Sequence, residues 1–139
     1  ETFLVHVLKM DWAAVHAEAE QLEHAISAAV PDRLDAMLGH PATDPHGDPI
    51  PSPQGKLDSQ VYATLATCGV DKPLRVVRVT DQSAEFLQFV EQHGLLPGTG
   101  VRVASRNLAA SLLTVKQTGH RPLTLSLAAA GKILVVPVR

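Results

Sequence analysis

Cysteine is almost missing from this chain. The single Cys68 cannot form a disulfide within it, and neither a Cys-rich zinc framework nor a redox CxxC motif is present. Aromatic residues make up only 4%, but 45% of the 139 residues are hydrophobic, enough for one globular domain or two small ones with a real core. No apolar run reaches the ~18 residues that a membrane-spanning helix needs. No secretory signal opens the chain. The expected setting is therefore reducing and cytoplasmic, without a membrane. An initiator methionine is also lacking, and so is a cap ahead of Phe3, Leu4, Val7 and Leu8, whose spacing is helical from the outset. The chain reads as beginning inside a helix, as part of something longer.

Each half is short of one charge. Residues 1–71 hold 3 basic against 11 acidic residues, a net of −8, and residues 72–139 hold 9 against 3, a net of +6. An acidic first half suits a cation site. The basic second half can touch acidic groups or simply aid solubility.

The stretch Asp11–Ser27, DWAAVHAEAEQLEHAIS, carries most of the visible chemistry. At about 100° per residue on a helix, His16, Glu20, Glu23 and His24 share one arc of roughly 100°. Val15, Leu22 and Ile26 form a separate apolar stripe. Two imidazoles and two carboxylates on one face can supply nitrogen and oxygen ligands to a divalent transition metal. The same spacing also suits a solvated polar face.

Along the chain, residues 1–9 read as the end of a helix. Asp11 reads as the cap of the next, with Trp12 at its first position. Val30-Pro31-Asp32 breaks that helix. Pro31 suits the first turn of a short one that continues through Arg33–Leu38, and Gly39 stops it. Residues 40–56 are too rich in Pro and Gly for regular structure. There His46, between Pro45 and Gly47, reads as a turn histidine rather than a ligand. Residues 57–72 read as a linker. Leu74–Val79 is β-branched and reads as a strand, followed by a helix over 84–93 capped by Asp81 or Ser83. Gly94–Gly98 is a turn. Val101–Val103, Leu112–Lys116, Leu123–Leu127 and Ile133–Val138 read as strands, with a turn at Ala128–Gly131. Five short strands and one small helix suggest a small SH3-like barrel. The fold class is α+β: a helical domain over residues 1–56, a linker over 57–72 and a small SH3-like β-barrel over 73–139.

Three segments carry a resemblance. Val15–His24, VHAEAEQLEH, resembles the VHxEAxxxEH helix of the diphtheria-toxin-repressor (DtxR/MntR) family. Asp44–Pro51, DPHGDPIP, resembles that family's PHGxPIP segment. Residues 73–139, with Gly94-Leu-Leu-Pro-Gly98, resemble the FeoA, SH3-like domain that ends many members. The resemblance implies a metal-dependent transcriptional repressor whose helical domain binds metal and forms a homodimer. It also implies an N-terminal winged helix-turn-helix, absent from this sequence, that binds a DNA operator. Carried over residue by residue, the activating site matches Glu20, Glu23 and His24. The ancillary site matches Glu1 and His16, and each site needs one further residue upstream of Glu1. In some members the SH3-like domain adds a Glu and a Gln three apart, a spacing that Glu85 and Gln88 share. Members with Cys at the position of Glu20 tend to sense iron, and those with Glu tend to sense manganese. Carboxylate oxygen is harder than thiolate, which agrees. Mn²⁺ is therefore the expected effector, with Fe²⁺ the alternative.

The residues alone leave two other classes open. Two His and two Glu can hold a metal with an open position that activates water, as in a metal-dependent hydrolase, although no further general base stands out. A plain dimerisation and interaction module needs no metal at all. Cys68 reads as a small structural residue.

Overall fold

The computed structural model describes residues 1–50 and 61–138. Three short helices come first: α1 Thr2–His6, α2 Val15–Ala25 and α3 Ala29–Met37. Then follow β1 Ala63–Thr64, β2 Leu74–Val79, α4 Ala84–Gln92, β3 Gly100–Asn107, β4 Leu112–Lys116, β5 Leu123–Ser126, α5 Leu127–Ala130 and β6 Ile133–Pro137. The α+β class holds.

The second helix starts later than the capping residue suggests. Asp11 caps a tight turn instead: its Oδ1 accepts from Ala13 N and its carbonyl from Ala14 N. Trp12 is drawn out of the helix because its indole donates to the Pro45 carbonyl at 2.7 Å. Pro31 sits in the first turn of α3, where its missing N–H costs nothing. Gly39 ends that helix at φ +79°.

The expected barrel is an open antiparallel sheet with the order β1-β6-β2-β3-β4-β5. Among the described residues it has six strands, not five. The two-residue β1 pairs only with β6 there, and β5 runs straight into α5, so no described strand is left to close either edge. Bulges at Val76/Arg78 and Val103/Ser105 bend the sheet. Of the stretch expected as linker, 57–60 lies outside the described residues. The remainder, from Ala63 on, is built into the sheet: Ala63 and Thr64 pair with Val135 and Leu134, and Leu65 and Cys68 are buried. Ser126 caps α5 where a turn was expected.

Alternation on the strands fills one core. Val76, Val79, Val103, Val115, Leu125, Ile133 and Val135 point inward and meet Leu87 and Val90 of α4. Ser83 caps α4 as expected, accepting from Phe86 N. Ala13 of the turn before α2 belongs to this same core, and Trp12 packs against it. The two halves are therefore joined by packing. By contrast α2 buries only Val15, and α3 buries nothing.

Candidate metal centre

Loop residues 44–48 place the site. Asp44 folds the loop on itself: its Oδ1 accepts from His46 N and Asp48 N, both at 2.9 Å, and Asp44 N donates to the Asp48 carbonyl at 2.8 Å. Gly47, at φ +88°, brings the loop backbone against β2, so that Val79 N donates to the His46 carbonyl at 3.0 Å. His46 is thereby wholly buried. It is a turn histidine, as its Pro-Gly neighbours suggest, but one shut away from solvent.

Its ring is fixed on both sides. Nε2 donates to the Trp12 carbonyl at 2.8 Å, and the Trp12 ring meets the imidazole edge-on at 4.7 Å between centroids. A carbonyl can only accept, so Nε2 carries the hydrogen and the neutral ring presents its lone pair at Nδ1. Nδ1 faces Glu1 Oε2 at 3.3 Å, yet this contact falls outside hydrogen-bond geometry, and both atoms are buried without a hydrogen-bond partner. The other oxygen of Glu1, Oε1, lies 3.3 Å from His16 Nδ1.

A lone pair facing a carboxylate in a buried place is unfavourable unless something positive comes between or onto them. The ionisation behaviour reflects this. Glu1 is held down to about 2, chiefly by the His46 imidazole opposite it, against the cost of burial, with His16 adding to the effect. Burial pulls His46 down, but the Glu1 carboxylate and the Trp12 carbonyl outweigh it, so His46 lies above its usual value. Asp44 is pushed up, mainly by burial. A proton on Nδ1 resolves the conflict, and so does a metal ion.

The donor set fits a metal. Ligand atoms of Glu1, Asp44 and His46 all lie within 4.8 Å of one another. Ligands held at ~2.1 Å from a divalent ion lie roughly 3–4.2 Å apart, so little movement closes the group. Two carboxylates and one imidazole suit a borderline-to-hard divalent ion. The carbonyl-fixed tautomer is the usual support for a ligating histidine.

The residues expected from the helix face are brought together only in part. His16 joins through Glu1, whereas Glu20, Glu23 and His24 stay exposed on α2. Among the described residues these last three do not form a group of ligand atoms within 4.8 Å. Glu20 and Glu23 do line the same groove as Glu1 and His16, a cavity of about 740 Å³ whose apolar wall includes Phe3, Leu22, Ile26 and Leu34. Glu85 and Gln88 are exposed on α4. The residue of that region that reaches the loop is Gln82, whose amide donates to Asp48. Asp44 and His46 were visible in the sequence only as part of a PHG turn.

Comparison with known proteins matches the two parts of the chain to two different family models. Residues 1–52 match the model of the iron dependent repressor metal binding and dimerisation domain, and residues 63–137 match the FeoA domain. The chain is 29% identical over 137 residues to the iron-dependent repressor IdeR of Mycobacterium tuberculosis and 31% identical to that of Mycobacterium leprae. In both cases 90% of this chain is covered, and it spans 59% of the relative's length. Among solved structures, a manganese-dependent transcriptional repressor in complex with manganese superposes with a TM-score of 0.89 at 36% identity, covering 99% of this chain and 65% of that one. ScaR with bound Zn²⁺ gives 0.86 at 30% identity, covering 99% and 68%.

Proposed function

The chain belongs to the iron-dependent repressor family of the DtxR/MntR type, and from that membership we propose that it is the metal-sensing and dimerising part of a metal-responsive transcriptional repressor. The observation that carries the reading is the buried pair Glu1 Oε2 and His46 Nδ1, which lack hydrogen-bond partners beside Asp44. A bound ion supplies the positive charge that this arrangement lacks. Glu1, Asp44 and His46 would hold it, with His16 next to Glu1. Glu20, Glu23 and His24 form a second ligand face on α2, closed by a residue upstream of Glu1. The hydrolase reading gains nothing from the relatives, which are named as repressors.

The mechanism is linkage. Glu1 comes from the start of α1, His16 from α2, and Asp44 and His46 from a loop fastened to the sheet. Drawing these together favours one arrangement of the elements over others, and a ligand shifts the population by its differential affinity. Operator binding belongs to a winged helix-turn-helix upstream of Glu1. The apolar groove beside α2 and α3, together with exposed Leu22 and Met37, makes a homodimer the natural assembly, in a cytoplasmic setting. Sedimentation at micromolar concentration should show a dimer, and a clean monomer with and without metal would exclude this.

Mn²⁺ is the effector we propose, because Glu20 puts a hard oxygen where a thiolate favours later metals. In the full-length repressor, Glu20→Cys should weaken the operator response to Mn²⁺ and improve that to Fe²⁺ or Co²⁺. Equal operator binding with Fe²⁺ and Mn²⁺ at matched free-metal levels, unchanged by Glu20→Cys, would remove the Mn²⁺ assignment.

A further inference from the structure

The loop that presents Asp44 and His46 is held from outside as well as from within. Asp48 closes the loop through its backbone and turns its carboxylate toward the sheet. There its Oδ1 accepts from Arg78 Nε at 2.7 Å, and its Oδ2 accepts from the Gln82 amide. Arg78 is on β2 and pairs with Leu134 of β6, and Gln82 lies between β2 and the capped start of α4. Both donors therefore stand on a braced frame whose neighbour Val79 is fully buried. Two different donors, one on each oxygen, fix the carboxylate in both position and plane.

We propose that Arg78 and Gln82 are positioning residues for the metal centre: by holding Asp48 they set where the loop places Asp44 and His46. The inference rests on reading Glu1, Asp44 and His46 as metal ligands. Arg78 is a cation and would not be a ligand to the metal. It acts through Asp48 and then through the bond between Asp48 N and the Asp44 carboxylate. The effect is larger on metal affinity than on folding. Arg78 and Asp48 are both about one-third exposed, so their attraction is partly screened and adds little stability. Coordination, by contrast, responds to displacements of a fraction of an ångström. Removing an outer partner of a ligand typically weakens metal binding about 10–100-fold.

Linkage then runs both ways. If the frame favours metal, metal must fasten the loop to the frame. The amide of Val79, bonded to the His46 carbonyl, should exchange its hydrogen more slowly when Mn²⁺ is bound.

The experiment titrates the chain with Mn²⁺ by calorimetry and follows Val79 exchange in wild type, Arg78→Ala, Arg78→Lys, Gln82→Ala and His46→Ala. His46→Ala should remove one metal equivalent. Arg78→Ala should weaken that same equivalent at least tenfold while moving the urea midpoint little, and should lose the Mn²⁺-dependent slowing at Val79. Arg78→Lys, which returns a cation, should recover part of both. If His46→Ala binds Mn²⁺ as wild type does, the metal-ligand reading fails and this inference fails with it. If His46→Ala loses the equivalent but Arg78→Ala keeps full affinity, the centre stands and the positioning role is overturned. Should Arg78→Ala not fold, Gln82→Ala and Asp48→Asn carry the same test, and full affinity in both overturns it.

Discussion

Replacing Gly47 with alanine puts a methyl group where the backbone of β2 already is. A Cβ built there lies 2.0 Å from the Val77 carbonyl oxygen, 2.7 Å from Arg78 Cα and 2.9 Å from Val77 C. None of these atoms belongs to a side chain that can swing away, and β2 is paired with β6 on either side of Val77. The loop has to lift. Alanine at φ +88° costs about 1–2 kcal/mol by conformation alone. Lifting also breaks the bond from Val79 N to the His46 carbonyl, worth about 0.5–1.5 kcal/mol net. It further loosens the packing of His46 on Trp12. The expected loss is about 2–4 kcal/mol. Gly39 provides the control: its φ is +79°, but nothing lies within 4 Å of a built Cβ, so Gly39→Ala should cost only the conformational part, about 1 kcal/mol. Urea unfolding of both variants measures the difference. Gly47→Ala should in addition lose the Mn²⁺ equivalent that depends on His46. If the two variants were equally stable within about 0.5 kcal/mol, the docking of the loop on β2 described above would be wrong.

Leu65→Ala should cost about 2–5 kcal/mol in urea unfolding, because Leu65 is fully buried, whereas Val61→Ala, at 93% exposure, should change almost nothing; equal effects would return this segment to the status of a linker. Asp81 is held down to about 2 by Lys132, 2.7 Å away, and by Ser83. A carboxylate with a depressed value stabilises the fold above its ordinary 3.8, and that contribution fades as pH falls from there toward about 2. The pair is partly exposed, so the effect is small, but the difference in Tm between wild type and Asp81→Asn should shrink between pH 5 and 2.5; a constant difference would refute it. Cys68 is buried, and burial pushes its thiol up despite Arg106 nearby, so a maleimide should label it slowly in the native chain and quickly in urea. Fast native labelling would contradict its place in the core.

Local pattern made much of the fold legible. The β-branched run at Leu74–Val79 and the alternation at Leu112–Lys116 became β2 and β4 with unchanged bounds. Of the four side chains that helix spacing puts on one arc, His16, Glu20 and Glu23 line one groove and His24 does not. What local pattern could not show was contact over distance. Ala63–Thr64 is too short to have a period, and becomes a strand only because β6, some seventy residues later, offers an edge. His46 has the composition of a surface turn, and its burial comes from Trp12 and from the β2 backbone, each more than thirty residues away. Ligands on a single helix can furnish only one side of a coordination shell. The second side of the proposed centre is a loop, and the signal for it was the resemblance of DPHGDPIP to a family segment, not spacing.

The turn at Asp11–Ala14 gives its Ala13 to the core of the sheet, and Trp12 packs beside it. This has a bearing on how the chain can be taken apart. The two family models meet between residues 52 and 63, which invites treating the FeoA part as a cassette to be exchanged among relatives. A graft cut there parts the sheet from the Ala13 that packs in its core and parts Arg78 from Asp48. A cassette that keeps its shape has to bring residues 11–14 and 44–48 along, although they lie in the other half of the sequence. Residues on the two sides of that seam are thus expected to change together over evolution, as those of an obligate interface do, even though one uninterrupted polypeptide joins them.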